Sequence, residues 1–109
     1  MSKLNAVPTR VVVVWRAGPT WRSGGVRDQP DWDAHAEFVD ALVANGTFVM
    51  GGPFVDNSGS MSLLEGVSAD EARRLIADDP FVANGVFVLD EVREWDVFVD
   101  QLTPVAEGR

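Results

Sequence analysis

Hydrophobic residues in the first half of the chain change from a strand pattern to a helix pattern. Residues 10–15 read RVVVVW, an uninterrupted β-branched run that is typical of a central strand covered on at least one face. From residue 31 onwards the apolar positions recur every three or four residues, which predicts an amphipathic helix that ends at Asn45-Gly46. Residues 17–30 form a long connection for so small a domain, and such connections are usually lids, binding loops or mobile segments.

The second half of the chain predicts a hairpin, a second helix and a last strand. The helix opens with a capping box, Ser-Ala-Asp-Glu at residues 68–71, and ends before Asp79-Pro80 because a residue that precedes proline is driven out of the α region. Gly51, Gly52 and Pro53 weaken the far end of the second strand and indicate a bulge or a close backbone approach. The predicted ranges are 47–54 and 61–67 for the hairpin strands, 68 to about 77 for the helix and 85–95 for the last strand.

The element order βαββαβ predicts the fold class. Two βαβ-like halves that obey the right-handed crossover rule give an α+β, ferredoxin-like sandwich, in which a four-stranded antiparallel sheet carries two helices on one face. We expect a single domain over residues 1–109, with an ordered core at about residues 8–102 and a frayed tail at 103–109. Since strands rich in Val, Phe and Leu would leave the other sheet face apolar, we expect a homodimer through the sheet faces, of the dimeric α+β barrel type.

Composition and charge exclude several classes of function. With 17 acidic and 9 basic residues the net charge is -8, which disfavours binding to nucleic acid and to anionic membranes. The chain has no cysteine and one histidine, so it offers no disulfide and no thiolate, and we expect neither a metal nor another cofactor. We also expect no membrane span, and the first residues lack the apolar core of a secretory signal, which favours a cytoplasmic location.

Chain topology brings the candidate chemistry to one end of the sheet. The long loop, the first turn of helix one, the Gly-Gly-Pro strand end and the exit of helix two all meet there. His35 lies on the apolar stripe of its helix, so its ring needs a hydrogen-bonding partner. Asp79 reaches the same end and could fix the tautomer of His35, leaving the other ring nitrogen free to move a proton. The alternative is that the pair only ties the two helices together.

Other residues at this end are candidates for substrate binding. The tryptophans suit an aromatic or apolar ligand, although tryptophans in a small core more often serve packing. Arg16, Arg22 and Arg27 could hold an anionic substituent if the loop folds inward, and solvated surface arginines are the alternative. The candidate substrate-binding residues are Trp15, Trp21, Trp32, Gly51, Gly52, Pro53 and Phe81.

Three segments carry a family resemblance. They read DQPDWDAHAEFVDALVANGTFVMGGPF, SADEARRLIADDPFVANGVF and VREW, and together they resemble the YCII-related (YciI-like) family over nearly the whole chain. The resemblance implies a ferredoxin-like α+β fold, dimerisation through the sheets and a His-Asp site that maps onto His35 and Asp79. The family includes a dehydrochlorinase that acts on a chlorinated hydroquinone. Many shorter members place an arginine just before the histidine, where this chain has Trp32 and Asp33.

Three functions remain open at this point. The leading hypothesis is a lyase- or isomerase-type enzyme in which His35, oriented by Asp79, moves a proton on a small cyclic or aromatic substrate. The second is a non-catalytic dimeric module that binds a small ligand or a partner. The third resembles a cofactor-independent monooxygenase, in which the substrate itself activates oxygen.

Overall fold

The computed structural model describes residues 9–102, so the tail that was expected to fray lies outside the described residues. The four predicted strands and both predicted helices are present. A further short helix and one turn of 3-10 helix, Val26–Asp28, accompany them. The elements are strands β1 (Thr9–Ala17), β2 (Phe48–Pro53), β3 (Gly59–Glu65) and β4 (Phe87–Asp96), with helices α1 (Trp32–Ala44), α2 (Ala69–Ile76) and α3 (Pro80–Ala83).

The sheet has the order β2-β3-β1-β4, and each neighbouring pair of strands is antiparallel. One sheet face lies under the helices, where Val11, Val13 and Trp15 of β1 are buried. Ala72 and Ile76 of α2 belong to the same core. The central position of β1 explains its unbroken β-branched run, because both of its edges are paired. The predicted α+β, ferredoxin-like sandwich is confirmed.

Two of the helix boundaries confirm their sequence signals. The Ser68 hydroxyl accepts a hydrogen bond from the Glu71 N–H at 3.1 Å, and a Glu71 carboxylate oxygen accepts one from the Ser68 N–H at 2.8 Å. These backbone and side-chain bonds with Ser68 hold the pKa of Glu71 below its ordinary value. Helix α1 stops at Asn45, and Gly46 follows with φ of 84°, a conformation that glycine adopts without strain. None of the described helices combines the length and the hydropathy that crossing a bilayer requires.

Helix α3 is the main departure from the predicted element order. The sequence indicated that Asp79-Pro80 ends the second helix, whereas in the structure the same dipeptide starts a new one. Asp79 is the N-cap of α3, its Oδ1 accepts the Phe81 N–H at 2.9 Å, and Pro80 occupies the first helical turn. Aspartate at the N-cap and proline just after it are both favourable at a helix start. The two interpretations use the same residues, and here the capping bond decides between them.

A buried glutamine organises the long loop between β1 and α1. Gln29 is 4 % exposed. Its Oε1 accepts the Arg22 N–H at 2.7 Å, and its Nε2 donates to the carbonyl oxygens of Arg22 at 2.7 Å and Gly25 at 3.0 Å. One side chain thereby satisfies several backbone groups of a segment that has little regular structure of its own. The loop is folded around it, against one end of the sandwich.

Asn84 connects the end of α3 to the beginning of α1. Its Nδ2 donates to the Pro30 carbonyl oxygen at 3.2 Å and to the Asp31 Oδ2 at 2.8 Å, while its Oδ1 accepts the Val86 N–H at 3.1 Å. Asp31 is the N-cap of α1 and has a left-handed backbone, with φ of 65°. Because one amide bonds both segments, the first turn of α1 and the whole of α3 hold a fixed relation to each other.

We expect Gly59→Ala to destabilise the protein more than Gly52→Ala. The two glycines lie at either side of the β2–β3 hairpin, and a Cβ at Gly59 would overlap the Trp15 carbonyl oxygen whereas a Cβ at Gly52 would meet nothing within 4 Å. Forcing β1 and β3 apart should cost about 1–3 kcal/mol of unfolding free energy. Urea denaturation of both variants and the wild type measures the difference, and equal stabilities of the two variants would contradict this packing.

Candidate active site

A cavity of about 580 Å³ lies between α1 and the sheet. Its floor includes Val13 and Trp15 of β1 with Ser60 and Ser62 of β3, and α1 covers it. The volume is in the range of small-molecule sites, which are mostly apolar and carry a small number of well-placed polar groups. The cavity is therefore large enough for a ring-sized ligand.

His35 and Asp79 form a hydrogen bond in the wall of this cavity. The Nδ1 atom of His35 lies 2.8 Å from Oδ1 of Asp79 and 2.9 Å from Oδ2. The two side chains are only 12 % and 5 % exposed, respectively. His35 sits in the first turn of α1, where its N–H donates to the Asp31 carbonyl oxygen, and Asp79 is the N-cap of α3. Two helix starts thus place the two side chains against each other.

This contact selects one tautomer of the imidazole. An ionised carboxylate only accepts hydrogen bonds, so the proton of a neutral His35 lies on Nδ1 and the lone pair lies on Nε2. Among residues 9–102, no protein group forms a hydrogen bond with Nε2, and no buried side-chain nitrogen or oxygen is left both sealed and unpaired. His35 lines the cavity, and Nε2, which is unpaired among the described residues, is not sealed from its surroundings. In this tautomer the lone pair of Nε2 is able to accept a hydrogen bond or a proton.

Aromatic packing holds the ring in this orientation. The imidazole stacks on Phe81 with ring centroids 4.0 Å apart and an angle of 7° between the planes. Phe87 meets it edge-on at 5.8 Å, and Trp32 lies 5.6 Å away at a tilt. Phe81 is itself completely buried. Rotation of the ring away from Asp79 would break both the stacking and the hydrogen bond.

The structure places most, but not all, of the candidate binding residues at the cavity. Its lining includes His35, Asp79, Trp15, Trp32, Gly51, Gly52 and Pro53. Trp21 and Phe81 are not part of the lining. Trp21 stacks on Phe87 with centroids 6.3 Å apart, and Phe81 lies beneath the imidazole. Both side chains support residues that line the cavity and do not reach it themselves.

The three candidate arginines have different surroundings. Arg27 lines the exposed rim, with its guanidinium carbon 6.0 Å from the centre of the Trp32 ring. Arg16 forms an exposed ion pair with Asp90 at 3.2 Å, and Arg22 is exposed outside the lining. Arg27 is thus the candidate that the fold brings to the rim.

Two serines of β3 also line the cavity, and the sequence analysis did not single them out. Ser60 and Ser62 are 8 % and 9 % exposed and face the helices, while the alternating residues Met61 and Leu63 face the other way. The Ser60 hydroxyl donates to the Gly52 carbonyl oxygen at 2.9 Å. The signal that could have revealed them is this inverted alternation, with small polar residues on the inward side of a central strand. Within the described ranges, no group of three or more His, Cys, Asp or Glu side chains is arranged to hold a metal ion.

Comparisons with known proteins agree with this architecture. The model of the YCII-related domain family matches residues 11–96. An uncharacterized protein of Bacillus subtilis (strain 168), YjpA, is 39 % identical over 61 residues, which cover 56 % of this chain and 71 % of YjpA. Among solved structures, 5-chloro-2-hydroxyhydroquinone dehydrochlorinase (TftG) from Burkholderia phenoliruptrix AC1100, in complex with 2,5-dihydroxybenzoquinone, superposes with a TM-score of 0.57. The two chains are 27 % identical, and the match covers 78 % of this chain and 92 % of TftG.

The match to the family model runs from the first strand to the last and includes both residues of the His35–Asp79 pair. It covers well over half of the sequence, and the resemblance noted from the sequence segments is confirmed. The chain belongs to the YCII-related family.

Proposed function

We propose that this protein is a lyase- or isomerase-type enzyme in which His35, oriented by Asp79, transfers a proton on a small cyclic or aromatic substrate. The observation that carries the proposal is the division of roles between the two ring nitrogens. Nδ1 is committed to a buried carboxylate, and Nε2 faces a mostly apolar cavity without a protein partner among the described residues. An oriented base that meets its substrate away from bulk water is what general acid-base catalysis needs.

The proposed reaction begins with removal of a proton by Nε2. The electron pair that is left on the substrate forms a new double bond, and either a leaving group departs as an anion or the proton returns at another atom. The first outcome is an elimination and the second an isomerisation, and both leave the atoms balanced. The imidazolium that forms is stabilised by Asp79, whose carboxylate remains hydrogen-bonded to Nδ1 and to the Phe81 N–H.

The similarity to TftG supports the elimination. TftG is a dehydrochlorinase, and its structure contains 2,5-dihydroxybenzoquinone, an oxygenated six-membered ring. Trp15 and Trp32 line the cavity and offer apolar surface to the face of such a ring in this chain. We therefore place halogenated hydroquinones first among the substrates to be tested.

A purely structural role for the pair explains less of what is observed. A tie between α1 and α3 needs only the bond between Nδ1 and Asp79 and the cap on Phe81. It gives no reason for an open Nε2 beside a cavity of this volume. The catalytic proposal accounts for all of these features.

We also propose that the protein is a homodimer through the uncovered face of its sheet. The residues of that face alternate with the core residues, and several are large and apolar. Met50, Met61 and Trp95 are 47 %, 41 % and 46 % exposed. Association of two such faces would remove this surface from water in the aligned packing that sheets favour. The cavity lies on the opposite face, so the dimer would leave it accessible.

We expect His35→Asn to lower turnover by about 10²- to 10⁴-fold while the protein remains folded. An asparagine amide can still donate a hydrogen bond to Asp79 from near the position of Nδ1, but it provides no proton acceptor in place of Nε2. The assay is chloride release from 5-chloro-2-hydroxyhydroquinone and related halogenated hydroquinones, with circular dichroism as the check on folding. Full turnover by His35→Asn would reject the proposed role of His35.

Asp79→Asn provides the matched variant for the orienting group. Asparagine is also a good N-cap, so α3 should keep its capping bond with the Phe81 N–H. The amide can present its NH₂ group to Nδ1 and so favour the wrong tautomer, and we expect turnover to fall by about 10²-fold or more. If the loss of turnover in Asp79→Asn equals the fraction of the variant that is unfolded, Asp79 has only a structural role in joining α1 to α3.

For the homodimer, we expect a mass in solution of twice that of the chain at micromolar concentration. Met61→Lys should shift the protein to the monomer, because it places a charge in the centre of the proposed interface. Val43→Lys is the control, since Val43 is 52 % exposed on α1, away from the sheet face. Sedimentation equilibrium distinguishes the two forms, and a wild-type protein that sediments as a monomer would contradict the interface.

A further inference from the structure

The polar side chains of the cavity lining fall into two groups by exposure. Apart from the indole N–H groups of Trp15 and Trp32, the polar lining residues with little exposure are His35, Asp79, Ser60 and Ser62. Arg27, Asp40 and Asn57 are exposed at the rim. Asp79 uses its carboxylate for the His35 ring and the Phe81 N–H, and Ser60 donates its proton to the Gly52 carbonyl oxygen. Asp79 and Ser60 are therefore hydrogen-bonded within the protein.

His35 and Ser62 each retain a hydrogen-bonding atom that faces the cavity and is not used within the described part of the protein. Neither Nε2 of His35 nor the hydroxyl of Ser62 has a hydrogen-bond partner within residues 9–102. Ser62 is nevertheless 91 % removed from solvent, since its relative exposure is 9 %. Because no described side-chain oxygen is both sealed and unpaired, the Ser62 hydroxyl opens into the cavity. A polar group in this situation is satisfied by water or by a ligand.

The register of the sheet isolates the Ser62 hydroxyl on an apolar floor. Ser62 lies opposite Val13 of β1 and opposite Gly51 of β2, and neither has a side chain that can form a hydrogen bond. Both neighbours also line the cavity. The floor therefore presents one uncommitted hydroxyl, and the wall presents one uncommitted imidazole nitrogen.

We propose that Ser62 is a specificity-determining residue that forms a hydrogen bond with a second oxygen substituent of the substrate. The inference rests on the proposed function and narrows its substrate class to rings that carry at least two hydroxyl or carbonyl oxygens. One oxygen, or the atom that loses the proton, faces Nε2 of His35, and another oxygen faces Ser62. A serine hydroxyl both donates and accepts, so it can bind either a hydroxyl or a carbonyl oxygen.

The experiment compares ligands that differ by one oxygen. Phenol and the three dihydroxybenzenes are titrated into the wild type, Ser62→Ala, Ser60→Ala and His35→Asn, and the indole N–H signals of Trp15 and Trp32 are followed by NMR. We expect the wild type to bind at least one dihydroxybenzene about three- to tenfold more tightly than phenol, as one net hydrogen bond provides. This margin, the ratio of the affinity for the dihydroxybenzene to that for phenol, should disappear in Ser62→Ala.

Ser60→Ala is the matched control, because Ser60 lies two residues away on the same face and its proton is already committed to Gly52. It should keep the margin between dihydroxybenzene and phenol. A margin that survives in Ser62→Ala, or a wild type that binds no dihydroxybenzene more tightly than phenol, would overturn the inference. His35→Asn tests the proposed function separately, since it should weaken all four ligands. Unchanged affinities in that variant would count against the role of His35 even if the Ser62 margin were observed.

Discussion

The hydrogen bond between His35 and Asp79 is the interaction on which the rest of the site depends. A carboxylate that is 5 % exposed is stable in a protein only when hydrogen-bond donors surround it, and here the donors are an imidazole nitrogen and a backbone N–H at a helix start. Each partner restricts the other. The capping bond fixes the carboxylate, the carboxylate fixes the imidazole tautomer, and the stacked Phe81 ring fixes the imidazole plane.

The fold supplies this arrangement through the starts of two helices. Each of His35 and Asp79 lies at or within one turn of a helix N-terminus, and Asp79 is itself the capping residue of α3. Asn84, at the end of α3, bonds Pro30 and Asp31 at the start of α1, and Gln29 ties together the backbone of the preceding loop. The positions of His35 and Asp79 therefore depend on hydrogen bonds from side chains to nearby backbone and side-chain groups, and the sheet below provides the floor.

The sequence was sufficient for the features that follow from periodicity and chain topology. Strand β1, helix α1 and the order of the elements can be read from the spacing of apolar residues, and the order alone brings residue 35 and residue 79 to the same end. Helix α3 could not be separated from the end of α2, because four residues are too few to show a period and Asp-Pro fits both a stop and a start. The capping bond that decides between them exists only in three dimensions.

The residues that sequence reasoning missed depend on distant partners. Asn84 bonds residues 53 and 54 positions earlier in the chain, which no local pattern indicates. Trp21 and Phe81 were predicted to bind substrate, but they lie behind the cavity wall. An aromatic residue near a cavity can line it or support its wall, and only the packing in three dimensions distinguishes the two. Ser62 was within reach, because a serine on the inward face of a central strand departs from the usual alternation and signals a cavity.

The most direct measurement is the tautomer of His35, which is the one histidine in the sequence and so gives a single set of imidazole signals in a protein without an affinity tag. Nitrogen-15 NMR of the neutral ring distinguishes a protonated from an unprotonated ring nitrogen. Orientation of His35 by Asp79 requires a proton on Nδ1 and an unprotonated Nε2 that responds when a ring ligand is added. A proton on Nε2, with Nδ1 unprotonated, would contradict it.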